Sequence, residues 1–199
     1  MEWKFQSTKL YMKMVVIIIR LLFSSMDVRS ENNVEEWENE YQKILENDEV
    51  RNELVGDVNF ACFFDFQGDE IPELLLAKGS EGVEDIFSKV VILQYDGESV
   101  EVLYYAECRM INAYYTVDTK DLVLWYPNSM GNPVEQIAIQ DKKVEKKIHI
   151  FSGDELKVSK YENGNIVEEE IVIGEYGDCF AVISDDCEMF KFFSINEYL

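Results

Sequence analysis

Histidine occurs once in these 199 residues, proline three times and cysteine four times, and each scarcity removes a class of explanation. A serine-type triad needs its imidazole beside a nucleophile and an orienting acid, and no Gly-x-Ser-x-Gly elbow accompanies the single His149. Cys62, Cys108, Cys179 and Cys187 are too few and too widely spaced to build a disulfide scaffold, and with no Cys-x-x-Cys pair among them a zinc site has no foundation. No long stretch rich in proline, glycine or serine divides the chain, and no segment repeats another. Basic side chains are outnumbered by acids, 18 to 40, giving a net charge of −22 that repels phosphate backbones and anionic lipid. Nucleic acid therefore drops out of the expected partners, and cations or basic proteins become the favoured company; the alternative, ranked ahead of it, is that the acids only keep a secreted protein soluble.

What is present is a folding composition: 47% apolar and 13% aromatic residues in a chain long enough for one domain with a real core. The charge is uneven. Residues 1–30 hold five basic and two acidic side chains, leaving 13 basic against 38 acidic beyond Ser30, net −25. Lys4, Lys9 and Lys13 precede the apolar run Met14 to Phe23, which has the length of a signal-peptide core and about half that of a bilayer-spanning helix. Arg20 interrupts it at a cost of about 2.5 to 3.5 kcal/mol on translocon insertion scales. Val28-Arg29-Ser30 offers a cleavage point, and the first cysteine after the run is Cys62, so lipoprotein processing finds no acceptor. The expected organisation is a leader at 1–30 and one domain at 31–199, secreted or at the cell surface. The alternative is a cytoplasmic protein in which the same segment is simply amphipathic or buried.

From Glu31 to about Leu54 the apolar residues Val34, Trp37, Tyr41, Ile44 and Leu45 recur every three or four positions, which predicts one amphipathic helix. Beyond Asp57 the period changes to short β-branched and aromatic runs. Turn chemistry separates them at Asp96-Gly97, Asp118 to Asp121, Asn128 to Asn132, Asp141-Lys142, Ser152 to Asp154, Asn163-Gly164, Gly174 to Gly177 and Asp185-Asp186. That rhythm predicts a mainly β domain, an N-terminal helix packed on an antiparallel meander; a propeller-like closure is one form it could take. Cys62 alternates with Phe60 and Phe64 and reads as a small core residue. In Val144 to Phe151, Ile148 and Ile150 share one face and Lys147 and His149 the other, which places His149 toward solvent. Tyr104-Tyr105, Tyr114-Tyr115 and Trp125-Tyr126 invite a sugar-stacking platform, but neighbours on a strand point to opposite sides, so at most one ring of each pair can join it.

The densest chemistry is Asp65-Phe66-Gln67-Gly68-Asp69-Glu70-Ile71-Pro72-Glu73-Leu74, an acidic turn between the expected strands Asn59 to Phe66 and Ile71 to Ala77. Calcium takes six to eight oxygens from carboxylates at alternate loop positions. Here Asp65, Gln67, Asp69 and Glu73 stand at one, three, five and nine, with Leu76 rather than an acid at twelve, which is not an EF-hand. The same residues resemble the acidic loop of FG-GAP and VCBS-like repeats. More closely, they resemble the DIDGDGIPELLL signature of uncharacterised secreted proteins of low-GC Gram-positive bacteria. The resemblance implies a calcium seat, although Gln67 brings no charge and Glu70 occupies a position where glycine is usual. The alternative for the same residues is a plain turn held by Asx hydrogen bonds.

Three functions of different class follow. The first is a secreted or cell-surface, non-enzymatic binding or structural module whose ligand is a protein or a glycan. The second is an intracellular immunity or inhibitor protein covering a basic partner with an acidic face such as Glu168-Glu169-Glu170. The third is a glycan hydrolase working with two carboxylates.

Overall fold

A computed structural model describes residues 31–79, 86–127, 129, 132–140, 143–152, 155–162, 165–173 and 184–198. The leader, Cys179 and the turn residues 141–142, 153–154, 163–164 and 174–177 lie outside the described residues. The chain divides into a unit Met1–Glu35 and a compact unit Glu36–Leu199. No helix of the described residues is long and apolar enough to cross a membrane.

The expected single helix is two: α1 (Glu31–Glu46) and α2 (Asp48–Val55). The break falls at Asn47, whose extended backbone frees its side chain to accept from the N–H groups of Glu49 and Val50, an N-cap that starts a new helix. Arg51, almost wholly buried, reaches back to the end of α1, donating to the carbonyls of Ile44 and Leu45 at 3.1 and 2.6 Å and pairing with Asp48. The last carbonyls of α1, which no helical N–H can reach, are satisfied in this way.

The strands are β1 (Phe60–Phe64), β2 (Glu73–Gly79), β3 (Phe87–Tyr95), β4 (Val100–Thr116), β5 (Leu122–Trp125), β6 (Val134–Gln140), β7 (Lys143–Ser152), β8 (Glu155–Glu162), β9 (Asn165–Ile173), β10 (Cys187–Met189) and β11 (Phe193–Ser194). Nine of them follow one another across the sheet in chain order, with β11 beside β1 at one end and β9 at the other, while β10 pairs with β4. Every pairing is antiparallel. This is the expected meander, but it is an open ribbon, and nothing in the strand order divides it into propeller blades.

Period two distributes the side chains of β1 to β3 between two cores. Phe60, Cys62, Leu75, Ala77, Phe87, Val90 and Ile92 enter one; Ala61, Leu74, Leu76, Val91 and Leu93 enter the other. Both faces of these strands are buried, so they read in sequence as nearly continuous apolar runs rather than alternating ones. Tyr41, Ile44 and Leu45 of α1 and Val55 of α2 cover the second face. The first face is covered by the sheet itself. The 17-residue β4 pairs with β3 through its first part and with β5 through Asn112 to Tyr115, carrying the ribbon over. Ile111, Ala113, Leu122, Leu124 and Ile137 thereby meet the rings of β1, with Phe64 and Tyr115 centroids 4.6 Å apart.

Tyr41 ties the helix layer to the ribbon by hydrogen bonds as well as by area. β2 begins at Glu73, just after the N–H-free Pro72, so β3 outruns its neighbour. The Tyr41 hydroxyl stands in for the missing rung, accepting from Tyr95 N at 2.9 Å and donating to Leu93 O at 3.4 Å.

Candidate functional site

The acidic turn lies between β1 and β2, and its residues serve their own loop. Asp65 Oδ1 accepts from the N–H groups of Gly68 (2.5 Å) and Asp69 (3.3 Å), and Asp69 Oδ1 accepts from Ile71 N at 3.0 Å. The Asp69 bond, to the N–H two residues on, is an Asx turn; Asp65 instead gathers the N–H groups three and four residues on. Glu73 points inward, 1% exposed, with Oε2 accepting from Phe66 N at 3.0 Å and Oε1 from Gln67 Nε2 at 2.6 Å. Burial pushes its carboxyl up to about 7 against these hydrogen bonds, which pull the other way.

The four expected ligands therefore separate into two pairs: Asp65 and Asp69 with the loop backbone, Gln67 and Glu73 with each other under the loop. Among the described residues no three acids, histidines or cysteines gather as a metal seat. The strongest cation near the loop is the chain's own. Lys120, from the turn between β4 and β5, brings Nζ to 3.1 Å from the Asp65 carbonyl oxygen and 3.9 Å from its Oδ2. With an ammonium at the mouth and the third and ninth side chains turned inward onto each other, the four side chains do not converge on one point. Melting curves recorded with calcium and with a chelator should coincide; a separation of several degrees would show that an ion binds the folded loop.

Two residues of the loop have left-handed backbone. Gly68 and Glu70 have φ of 71° and 72°, and at Glu70 a side chain endures a left-handed conformation that glycine adopts freely. Glu70 is exposed. Glu70→Gly should stabilise the protein by up to about 1 kcal/mol in urea denaturation, whereas an unchanged or lowered stability would show that the strain is illusory.

A second polar cluster escaped the sequence pattern. Glu135 of β6 takes Tyr104 OH and Tyr126 OH (2.8 Å) on Oε2 and Lys146 Nζ (3.3 Å) on Oε1, and the same ammonium sits 5.5 Å from the Tyr161 ring centroid. Burial, and then the Glu135 charge, push both tyrosine hydroxyls far above their ordinary range, which keeps them neutral donors. The cluster is a satisfied network rather than an acid–base pair: three donors converge on one acceptor. Its sequence signal is parity, because Glu135 shares a strand face with the buried Ile137 and Ile139.

His149 is corrected by the structure. Its alternation with Ile150 holds, but the faces are exchanged: His149 is 7% exposed and Ile150 is 38% exposed. It pairs across β7 with Val134 and Val158, beside the buried Val123 and Leu156, so this outer face of the ribbon carries a small core of its own. Neither imidazole nitrogen has a hydrogen-bond partner among the described residues, and burial, assisted by Lys147, lowers its pKa. Such a histidine is a neutral packing group.

Of the six paired aromatics, Tyr105 alone is exposed, at 48%, and its hydroxyl donates to Glu107. One ring does not make a sugar platform. Cys62 is buried with Phe60 as expected, and burial raises its thiol to about 12; burial likewise raises the half-buried Cys187 to about 11. A shallow acidic depression between α1 and the β3–β4 turn, lined by Glu36, Glu40, Lys43, Glu46, Tyr95 and Glu98, is open to solvent. Comparison with protein-family models, with curated proteins and with solved structures returned no match.

Proposed function

We propose that this chain is a non-catalytic binding module, exported to or beyond the cell surface, whose partner is a cationic protein. What carries the reading is how the acids are used. Those of the two candidate sites are spent inside the fold, on loop amides, on Gln67 and on the Tyr104–Tyr126–Lys146 donors. Other acids on the strands, including Glu101, Glu155, Glu168 and Glu170, are exposed to solvent on a hydrogen-bonded scaffold. A surface of this sign attracts basic proteins, speeds their encounter and rejects polyanions.

Titration of the full chain with a lysine-rich protein and with heparin separates the outcomes. Saturable binding of the basic protein, weakened about tenfold or more between roughly 50 and 500 mM salt, is the expected result. Absence of saturable binding removes the reading, and turnover of a polysaccharide would replace it with the hydrolase. The address is tested separately. N-terminal sequencing of the exported protein should show a start after Ser30, and an intact Met1 in the cytoplasmic fraction would move the module inside the cell.

A further inference from the structure

We infer that the outer edge of β9 is a strand-addition site for a basic extended segment of the partner protein. The inference rests on the binding-module reading above and names where and how that partner is held.

The ribbon has two ends of different character. At one, β11 is two residues long and runs directly into the short helix Ile195–Tyr198, so little backbone is left unpaired. At the other, β9 is nine residues long and, among the described residues, pairs with β8 alone. Every residue from Asn165 to Ile171 is exposed, with Ile166 at 50%, Val167 at 52% and Ile171 at 58%. An antiparallel strand turns the N–H and C=O of every second residue away from its neighbour, so from Ile166 to Ile171 this edge presents donors and acceptors with no strand partner among the described residues. Proteins usually protect such an edge with charged side chains, lysine above all, with proline or with a bulge, and the charges on β9 are all glutamates, which repel an acidic strand but not a basic one. β9 contains neither lysine nor proline. Its one irregularity, opposite Lys160 and Tyr161, lies near its start and leaves Glu168 to Ile173 in regular register with β8.

Charge selects the occupant. Glu168, Glu169 and Glu170 sit between the exposed apolar residues; Glu169 is neutralised by Lys157 at 2.5 Å, while Glu168 and Glu170 have no ion-pair partner among the described residues. A second copy of β9 would bring glutamates beside glutamates between two molecules of charge −22. A segment with lysine or arginine at its centre and apolar residues flanking them matches the strand in both respects, with main-chain hydrogen bonds supplying affinity and side chains supplying choice.

The test uses the full chain and a fluorescent nine-residue peptide of alternating valine and lysine. Two control peptides accompany it: the same peptide with every backbone amide N-methylated, which keeps the charge and removes the strand donors, and a valine–glutamate peptide. The expected result is saturable binding of the first alone, with slowed hydrogen exchange at β9 amides and at least a tenfold loss in the double variant E170K/I171K. Both substituted side chains are exposed, so the variant should melt with the wild type; the N-methylated peptide probes the same edge on the unaltered protein. Equal binding of the plain and N-methylated peptides, or full binding by the variant, overturns the β9 edge while leaving the cationic-partner reading intact. A wild-type dimer that the variant lacks would overturn the choice of occupant.

Discussion

Leu75→Ala and Leu76→Ala should each cost about 3 to 5 kcal/mol, and the double variant should show no cooperative unfolding transition. The two residues are adjacent in β2 and wholly buried, yet they serve different cores. Leu75 packs with the β1, β3 and β4 side chains where the ribbon faces itself, and Leu76 packs under the helices. Truncating either leaves a cavity that neighbouring strands, bonded on both sides, cannot close by moving. Because the two cavities open on opposite faces, their costs should nearly add, and their sum approaches the whole stability of an ordinary domain. Chemical denaturation of the single variants and circular dichroism of the double variant measure this. A cost below about 1 kcal/mol for either single variant would mean that its face is not a packed core.

The second large effect depends on pH. Burial raises the Glu73 carboxyl from 4.5 to about 7, so the folded protein holds this proton more tightly than the unfolded chain does. The associated stability is fully present below about 4.5 and is lost as pH rises through about 7, at a total cost of roughly 3 kcal/mol. In Glu73→Gln the charge is gone. Its amide oxygen can still accept from Phe66 N, and Gln67 need only turn its own amide to accept from the new donor. Wild type should therefore lose roughly 2 to 3 kcal/mol relative to Glu73→Gln when urea denaturation at pH 5 is compared with that at pH 8. The paired comparison removes the opposite trend from His149, whose depressed pKa costs stability as pH falls below about 6.5 in both proteins. A difference between the two proteins that is constant with pH would show that Glu73 ionises freely.

Much of this architecture is legible from short-range pattern. Tyr41, Ile44 and Leu45 mark the buried stripe of α1 through their spacing alone, and Phe60, Cys62 and Phe64 mark one face of β1. The break at Asn47 also carried a local signal, an Asn-Asp-Glu run of the type that caps a helix, which the longer apolar period masked. The acidic turn is a turn, as its residues imply, but the destination of its side chains was not legible. Glu73 dives under the loop, and Lys120, distant in sequence, arrives at its mouth.

Local spacing in the chain determined which residues share a face and that β1 to β9 follow one another as a meander, because 3.6- and two-residue periods are properties of a backbone with its nearest neighbours. The strand ends it did not fix, since β1 and β2 run Phe60–Phe64 and Glu73–Gly79 rather than Asn59 to Phe66 and Ile71 to Ala77. Tertiary structure alone decided which of two faces is dry. His149 and Ile150 were bound to point apart, but which of them is buried depends on what the rest of the chain lays against β7, and no stretch of residues 143–152 contains that information. The same holds for the turn of the ribbon along β4 and for the open edge at β9, since closure and exposure are relations between segments far apart in sequence.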